Sequence, residues 1–417
     1  MEKKNEFVLG YDLSDECVQM YSYNWEFLEP EPVETGKAGD EGRIPTVLFQ
    51  RQDTQEWFFG KLAEEEAEKN EGIRIRNFVH QLSREQEFPC YRQGEVSTIS
   101  AAELLMLFFR KTLSLTRVSY PDREIQRLVV TVEETEKEIL FVVYEALSLL
   151  GLEHDRVCVR SHKSCFGYYV LNQEKEILQN DVGLFDLKVD HLYFYQMHID
   201  RKFLPPIAQI SFLDLTKQLM FEELLISFEN VSKYALHRKN ISTLYMVGKA
   251  FSESWAQKSL MELCVGRRLF IGQNLYVKGA CYYAREQVKR GKIGDYSMQS
   301  EEMLSCSIFM DGYYDAELQK KAVFRAGIPW YDARAEFDVI LDQREYVSFS
   351  VESRQGRKMG DFDMHFPNLR NRPGRMTRMR LCLFFTEKNT MVIQARDRGF
   401  GAIYPGTNRI YEETVCL

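Results

Sequence analysis

The stretch FVLGYDLSDECVQMYSY, residues 7–23, predicts a β-hairpin at the start of the chain. Its apolar residues run up to Asp12 and resume at Val18, and the polar residues 14–16 between them are typical of a tight turn. A second stretch, GLFDLKVDHLYFYQM at residues 183–197, has the same layout with Asp186 in the place of Asp12. Two hairpins that each carry an aspartate just before the turn indicate an internal duplication.

A helix and further strands follow each hairpin. RLVVTV, residues 127–132, is apolar enough for a buried strand, and a helix over residues 134–150 leads to a strand at residues 156–159. This β-α-β order predicts a parallel strand pair. In the second half, a helix over residues 215–236 precedes a strand at residues 242–247. The spacing of Ser100 and Glu103 is that of a capping box and predicts another helix start.

The composition excludes a disordered and a membrane-embedded protein. With 417 residues, 45% apolar and 28% charged residues and a net charge of −8, the chain is expected to fold into two or three globular domains. No apolar run is long enough to span a bilayer and no signal peptide is recognised, so we expect a cytoplasmic protein without a membrane partner. Nine cysteines stand singly, which argues against a disulfide framework, and metal binding is not expected. The weak zinc candidate is Cys158, His162 and Cys165.

After about residue 296 the pattern becomes all-β. Strand-like segments separated by turn residues recur over residues 307–311, 322–324, 335–340, 346–352, 379–385 and 391–396. The last third of the chain is therefore predicted to be a separate β module.

Several of these stretches are similar to the seventy-kilodalton heat-shock chaperones, DnaK in bacteria. The two hairpins resemble that family's phosphate hairpins, IPTVLF and EWFFGKLAEE its next strands and helix, and YMVGKAFSESW its adenosine-binding turn. In the last third, VFRAGIPW and residues 359–401 resemble the family's peptide-binding domain segment by segment.

The resemblance implies an α/β actin-like ATPase fold, of the duplicated ribonuclease-H-like kind, followed by an all-β sandwich. The degenerate nucleotide-binding domain would be residues 1–296, with lobe I at about 1–180 and lobe II at about 181–296. Lobe II would be reduced, since only about 40 residues separate Asp200 from Ile241. The sandwich, residues 297–417, would resemble the chaperone substrate-binding domain, and the family's helical lid is not expected.

By the same resemblance, the nucleotide cleft would lie around five positions, which are Asp12, Ser14, Lys188, Gly248 and Lys249. The remnant catalytic positions would be Asp12, Arg76 and Asp186. Most of the glycines and hydroxyls that let a backbone cradle phosphate are replaced, and Asp15 and Glu16 now stand in the first turn. Each such carboxylate at 4 Å from a phosphate charge costs about 1 kcal/mol in water and about 4 kcal/mol at an effective dielectric of 20.

Two hypotheses follow for this cleft. In one, Asp12 and Asp186 still hold a hydrated Mg²⁺ with nucleotide, so that Mg-ATP or Mg-ADP binds at low affinity. In the other, which we favour, no cofactor binds and Lys188 pairs with Asp12, Asp15 or Asp186, so the cleft neutralises itself.

The β module carries two further candidates. A peptide groove would be formed by Phe337, Val347, Phe349 and a loop at residues 313–321, although these side chains also suit a sandwich core. Residues 354–380 hold eight cations and two aspartates, which suggests a nucleic-acid surface or, as we favour, a solvated face or a seam that docks on the acidic N-terminal lobes.

The sequence thus predicts a DnaK-like pseudo-ATPase: a bacterial cytoplasmic protein that binds or scaffolds a protein partner or an extended polypeptide. The first alternative is a divergent chaperone that binds and slowly hydrolyses ATP. The second is an actin-like self-assembling protein. Nucleic acid is not expected as a partner.

Overall fold

The computed structural model describes residues 7–39, 42–314 and 317–417. The chain divides into two compact units, Met1–Tyr296 and Ser297–Leu417. Each unit is described by itself below.

The first unit contains two larger sheets, two smaller ones and eight α-helices within the described residues. Its strands are β1 (Phe7–Leu13), β2 (Cys17–Asn24), β3 (Glu29–Pro32), β4 (Arg43–Pro45), β5 (Val47–Arg51), β6 (Trp57–Phe59), β7 (Gly72–Arg76), β8 (Glu87–Arg92), β9 (Glu95–Ser100), β10 (Ile125–Val132), β11 (Val157–Ser161), β12 (Asp181–Leu187), β13 (Leu192–Asp200), β14 (Ile207–Asp214), β15 (Ile241–Val247) and β16 (Arg268–Ile271). Its helices are α1 (Gly60–Lys69), α2 (Ala101–Leu113), α3 (Thr116–Ser119), α4 (Lys137–Leu149), α5 (His162–Leu171), α6 (Leu224–Leu236), α7 (Ala256–Leu263) and α8 (Leu275–Val288).

The two larger sheets share one topology. In the first, the strand order is β11-β10-β1-β2-β3, where β1 is antiparallel to β2 and parallel to β10. In the second, β16-β15-β12-β13-β14 repeats this order, with β12 antiparallel to β13 and parallel to β15. Each half is thus an antiparallel meander extended by a parallel pair, and both opening hairpins occupy the same central place.

Helix α8 packs closely on the first sheet and on helix α5. A Cβ at Gly10 would lie 2.5 Å from the backbone nitrogen of Cys281, and one at Gly279 would lie 2.0 Å from the carbonyl oxygen of Cys165. Glycine is required at both positions because only a missing side chain permits this approach. The close packing brings the start of α5 next to α8 at the carboxyl end of β1.

Several predicted elements are confirmed, with shifted ends. Both hairpins form, β10 and β11 are parallel, and Ser100 and Glu103 make the reciprocal hydrogen bonds of a capping box. The helix expected over residues 215–236 is wrong in its first part, because two 3₁₀ turns precede α6 and bury Leu215 and Leu219. Strand β14 and helix α5 were not predicted.

The second unit contains two four-stranded antiparallel sheets around one apolar core. Its strands are β17 (Ser297–Gln299), β18 (Cys306–Tyr314), β19 (Glu317–Phe324), β20 (Arg334–Leu341), β21 (Tyr346–Ser353), β22 (Lys358–His365), β23 (Thr377–Glu387), β24 (Thr390–Asp397), β25 (Gly399–Phe400), β26 (Tyr404–Pro405) and β27 (Ile410–Cys416). One sheet has the order β19-β18-β21-β22 and the other β20-β23-β24-β27. Residues of both sheets, among them Phe349, Leu381 and Ile393, form the core.

Candidate functional site

Asp12 and Asp186 occupy equivalent positions in the two halves of the first unit. Each is the next-to-last residue of its central strand, β1 or β12, and each side chain is buried. The repeated topology therefore places one carboxylate at the same edge of each sheet, as the two hairpins predicted.

A buried side-chain network ends on these two aspartates. The Nε2 atom of His162, the first residue of α5, lies 2.8 Å from Oδ1 of Asp12. The His162 ring stacks on the ring of Tyr276 with centroids 4.0 Å apart, and the Tyr276 hydroxyl donates to Oδ2 of Asp186 at 2.7 Å. Burial raises the pKa of Tyr276 well above its ordinary value, so its hydroxyl stays protonated as the donor. The four residues link α5 and α8 with the two central strands.

Two atoms of this network keep unused hydrogen-bonding capacity. His162 Nδ1 and Asp186 Oδ1 are buried and have no hydrogen-bond partner within the described residues. Sequence reasoning named both aspartates but assigned His162 only to a weak zinc candidate. A histidine at the start of a helix that directly follows a buried strand was the available signal.

A second cluster surrounds Glu133 at the end of the neighbouring strand. Lys188 Nζ lies 2.5 Å from Glu133 Oε2, and His191 Nε2 lies 3.0 Å from Oε1. Burial works against the charge on both groups. The pKa of Lys188 is nevertheless raised, first by the negative charge of Asp186 and then by that of Glu133, and the pKa of Glu133 is lowered, first by its hydrogen bond with His191 and then by the charge of Lys188. For His191, burial lowers the pKa, but the hydrogen bond and the charge of Glu133 raise it, and the net result is a raised pKa. The second hairpin thus supplies two cations to one carboxylate of the first half.

The acidic residues of the first turn are also paired inside the unit. Asp15 accepts from the backbone N–H of His80 at 3.2 Å and lies 3.1 Å from its ring Nδ1. Glu16 lies 3.5 Å from Arg43 and 3.3 Å from Lys249. The carboxylates expected to repel a nucleotide therefore have cationic or N–H partners within this unit.

Gly248 closes the turn that was expected to hold adenosine. Its φ is 126°, and a Cβ built there would lie 1.9 Å from the carbonyl oxygen of Leu187 at the end of β12. The turn is packed directly on the second hairpin, and this contact alone requires glycine.

The remaining predicted cleft residues are also engaged locally. Ser14 donates its hydroxyl to the carbonyl of Cys17 at 2.7 Å. Arg76 is the exposed last residue of β7, and its guanidinium nitrogen lies 2.9 Å from a carboxylate oxygen of Glu64. The predicted pairing of Lys188 with Asp12, Asp15 or Asp186 is wrong in the direct partner, because the ion pair forms with Glu133, just after the parallel strand β10. Asp186 and Asp12 still favour the charge on Lys188 and raise its pKa.

The predicted peptide-binding residues of the second unit belong to its core. Phe349 and Val347 are buried, and Phe337 is half-buried against them. Phe349 stacks on Phe362 with ring centroids 5.1 Å apart. The loop expected at residues 313–321 is wrong, because its described residues belong to the hairpin of β18 and β19; residues 315–316 lie outside the described residues.

The other candidates resolve as follows. No group of three or more His, Cys, Asp or Glu residues that could hold a metal ion occurs in the described part of the chain, and Cys165 is buried within α5. Within residues 354–380, Arg372 forms a fully buried pair with Asp397, and Arg375 and Arg380 pair with acidic residues of the β20 region. None of the helices described is both long and apolar enough to cross a membrane.

Comparison with known proteins assigns the chain to a family without an assigned function. A family described as "Family of unknown function (DUF5716) C-terminal" matches residues 29–301, which is well over half of the chain. The protein therefore belongs to this family. A domain of unknown function, DUF8552, matches residues 303–417. No curated protein matches the chain.

Proposed function

We propose that this protein is a DnaK-like pseudo-ATPase that acts as a protein-binding or scaffolding module in the bacterial cytoplasm. The first unit would have a duplicated actin-like fold, which its two sheets of equal strand order support. The second unit would correspond to a chaperone-type sandwich, supported by its two four-stranded antiparallel sheets. The partner would be a folded protein or an extended polypeptide.

One observation carries the pseudo-ATPase proposal. The two lysines expected at the cleft are both engaged by acidic residues of the first half, Lys188 by Glu133 and Lys249 by Glu16. A triphosphate would have to displace these carboxylates and would also meet Asp15. Since the Gly248 turn is packed on Leu187, the backbone there offers no open cradle. The charges at the cleft then hold the two halves together rather than bind nucleotide.

Calorimetric titration of the full chain with Mg-ATP and Mg-ADP tests this proposal. We expect neither heat of binding nor thermal stabilisation at millimolar nucleotide. The informative variant is Asp15→Thr/Glu16→Thr, which removes two carboxylates and frees Lys249; any nucleotide affinity should be gained there first. Micromolar binding to the unmodified chain, with turnover abolished in Asp12→Ala, would contradict the proposal and favour an ATP-hydrolysing chaperone.

A further inference from the structure

The outer face of one sheet of the second unit carries arginines on neighbouring strands. In the sheet β20-β23-β24-β27, residues such as Leu381 and Ala395 point into the core. The residues that alternate with them along β23 and β24, such as Arg380 and Arg396, point outward. The strand register places Arg380 opposite Arg396. Like charges directly opposite on adjacent antiparallel strands are destabilising.

Two more arginines extend this cluster. Arg378 lies two residues before Arg380 on the same face of β23, and Arg398, just after β24, donates its backbone N–H to the carbonyl of Arg378 at 2.9 Å. Arg378, Arg380, Arg396 and Arg398 are called the arginine face below. The protein as a whole is acidic, with a net charge of −8, so this concentration of cations is local.

Among the residues that the structure describes, only one of the four arginines has an ion-pair partner. Arg380 binds Asp338 through two nitrogens, at 2.6 and 3.1 Å, and Glu336 through a third at 3.2 Å. Across the residues that the structure describes, Arg378, Arg396 and Arg398 have no ion pair, and Arg378 Nε is buried without a hydrogen bond.

The electrostatics of Asp338 agree with this geometry. Its pKa is lowered, chiefly by the hydrogen bond with Arg380 and further by the charges of Arg378 and Arg398. Two carboxylates, Asp338 and Glu336, therefore lie beside the four guanidinium groups of the arginine face, which leaves capacity for further anions.

Apolar side chains border the arginine face on both sides. Ile340 on β20 and Ile410 on β27 are 53% and 55% exposed, and Ile410 lies directly opposite Arg396. Guanidinium groups bind carboxylates through paired hydrogen bonds, and neighbouring isoleucines offer apolar contact. A continuous phosphate backbone would also meet Asp338 and Glu336, so the face suits separated carboxylates better than nucleic acid.

We propose that the arginine face binds an acidic polypeptide segment, with its carboxylates on Arg378, Arg396 and Arg398 and its aliphatic side chains on Ile340 and Ile410. This inference rests on the proposed protein-binding function and names the chemistry of the partner. It assigns recognition to the outside of the sheet, whereas Phe337, Val347 and Phe349 stabilise the core.

Fluorescence anisotropy tests the proposal with the full chain and a labelled peptide of alternating Glu and Ala residues. The variant Arg378→Gln/Arg396→Gln/Arg398→Gln should weaken binding about tenfold, as three partly exposed charge pairs would. The matched control, Arg325→Gln/Arg344→Gln/Arg357→Gln, changes the net charge equally at exposed positions elsewhere in the unit and should bind like the unmodified chain. Higher salt should weaken binding to the unmodified chain more than to the face variant.

Other outcomes overturn the proposal. Equal loss in both triple variants would mean a non-specific charge effect, and equal binding of the peptide with Gln in place of Glu would remove the acidic preference while leaving protein binding intact. Tighter binding of oligothymidylate, lost in the face variant, would replace the polypeptide by nucleic acid. If the face variant melts lower than the control, Arg396→Gln alone takes its place in the same assay. Because no nucleotide is present, failure here is distinct from failure of the pseudo-ATPase proposal, which the Mg-ATP titration decides.

Discussion

The predicted nucleotide cleft of the first unit, called the cleft below, and the arginine face of the second unit both concentrate charge, but they differ in how that charge is balanced. At the cleft, Lys188 and Lys249 lie against Glu133 and Glu16. On the arginine face, three of the four guanidinium groups form no ion pair within the described residues.

The difference indicates that the charges of the two regions have different roles. Paired and partly buried charges hold structural elements together, and a ligand must break them before it can bind. Unpaired charges on a solvated sheet cost a little stability and are free to meet a ligand. The cleft is therefore expected to govern stability, and the arginine face to govern recognition.

The largest loss of stability should come from adding a side chain at Gly248, where the turn packs on the second hairpin. Gly248→Ala places a Cβ within 1.9 Å of the Leu187 carbonyl at a φ of 126°, so we expect a loss of about 3 kcal/mol in the free energy of unfolding. Urea denaturation measures it. Gly151→Ala is the control, since that glycine also has a positive φ but no atom nearby, and it should lose only about 1 kcal/mol. Equal losses would mean that the turn is not packed tightly on the hairpin.

The second largest effect should come from removing the cation beside Glu133. Lys188→Met leaves a half-buried carboxylate with His191 as its remaining cationic partner, and we expect a loss of about 2 kcal/mol at neutral pH. Lys233→Met removes an equally short pair with Glu229 at an exposed site and should leave the free energy of unfolding nearly unchanged. Adding Glu133→Gln to Lys188→Met should recover part of the loss. A Lys188→Met protein that melts like the unmodified chain would contradict the pairing.

The same cluster should give a characteristic dependence of stability on pH. Glu133 has a lowered pKa in the folded state, so its contribution is present above its ordinary value of 4.5 and is lost as pH falls below it. His191 has a raised pKa, so its contribution is complete below 6.5 and is lost as pH rises through its folded value. The difference in unfolding free energy between the unmodified chain and Glu133→Gln should therefore be largest between pH 4.5 and 6.5. Urea unfolding across the pH range measures it, and a difference that keeps growing above this window would exclude the assigned role of His191.

The smallest effect should have the opposite sign and should belong to the arginine face. Arg396→Gln removes one of two like charges that lie opposite each other, so at low salt we expect a gain of up to about 0.5 kcal/mol in stability. Salt should abolish the gain by screening the repulsion. Arg380→Gln, which breaks the pair with Asp338, should instead be neutral or slightly destabilising. A clear loss in Arg396→Gln would mean that this arginine is a structural residue after all.

Sequence reasoning succeeded where the signal was local. The two hairpins, the parallel pair of β10 and β11 and the capping box at Ser100 depend on residues that are close in the chain. It missed α5 because that helix is buried almost all round and so shows no amphipathic period. It also left β14 unassigned, although the alternation of Ala208, Ile210 and Phe212 with the polar Gln209 and Ser211 is typical of a strand.

The partners at the cleft were beyond the reach of local patterns. His162 meets Asp12 across 150 positions of sequence, and Tyr276 meets Asp186 across 90. The choice of Glu133 by Lys188 depends on which strand lies beside β1, and that is a property of the whole sheet.

The repeated hairpins, their two aspartates and the change to an all-β module could be predicted from the sequence, because alternation and turn chemistry act over a few residues. The pairing of the cleft charges, and the lack of ion pairs for three arginines of the arginine face within the described residues, became visible in the folded chain. Charge pairing depends on strand register and helix packing, which bring together side chains that no sequence spacing relates.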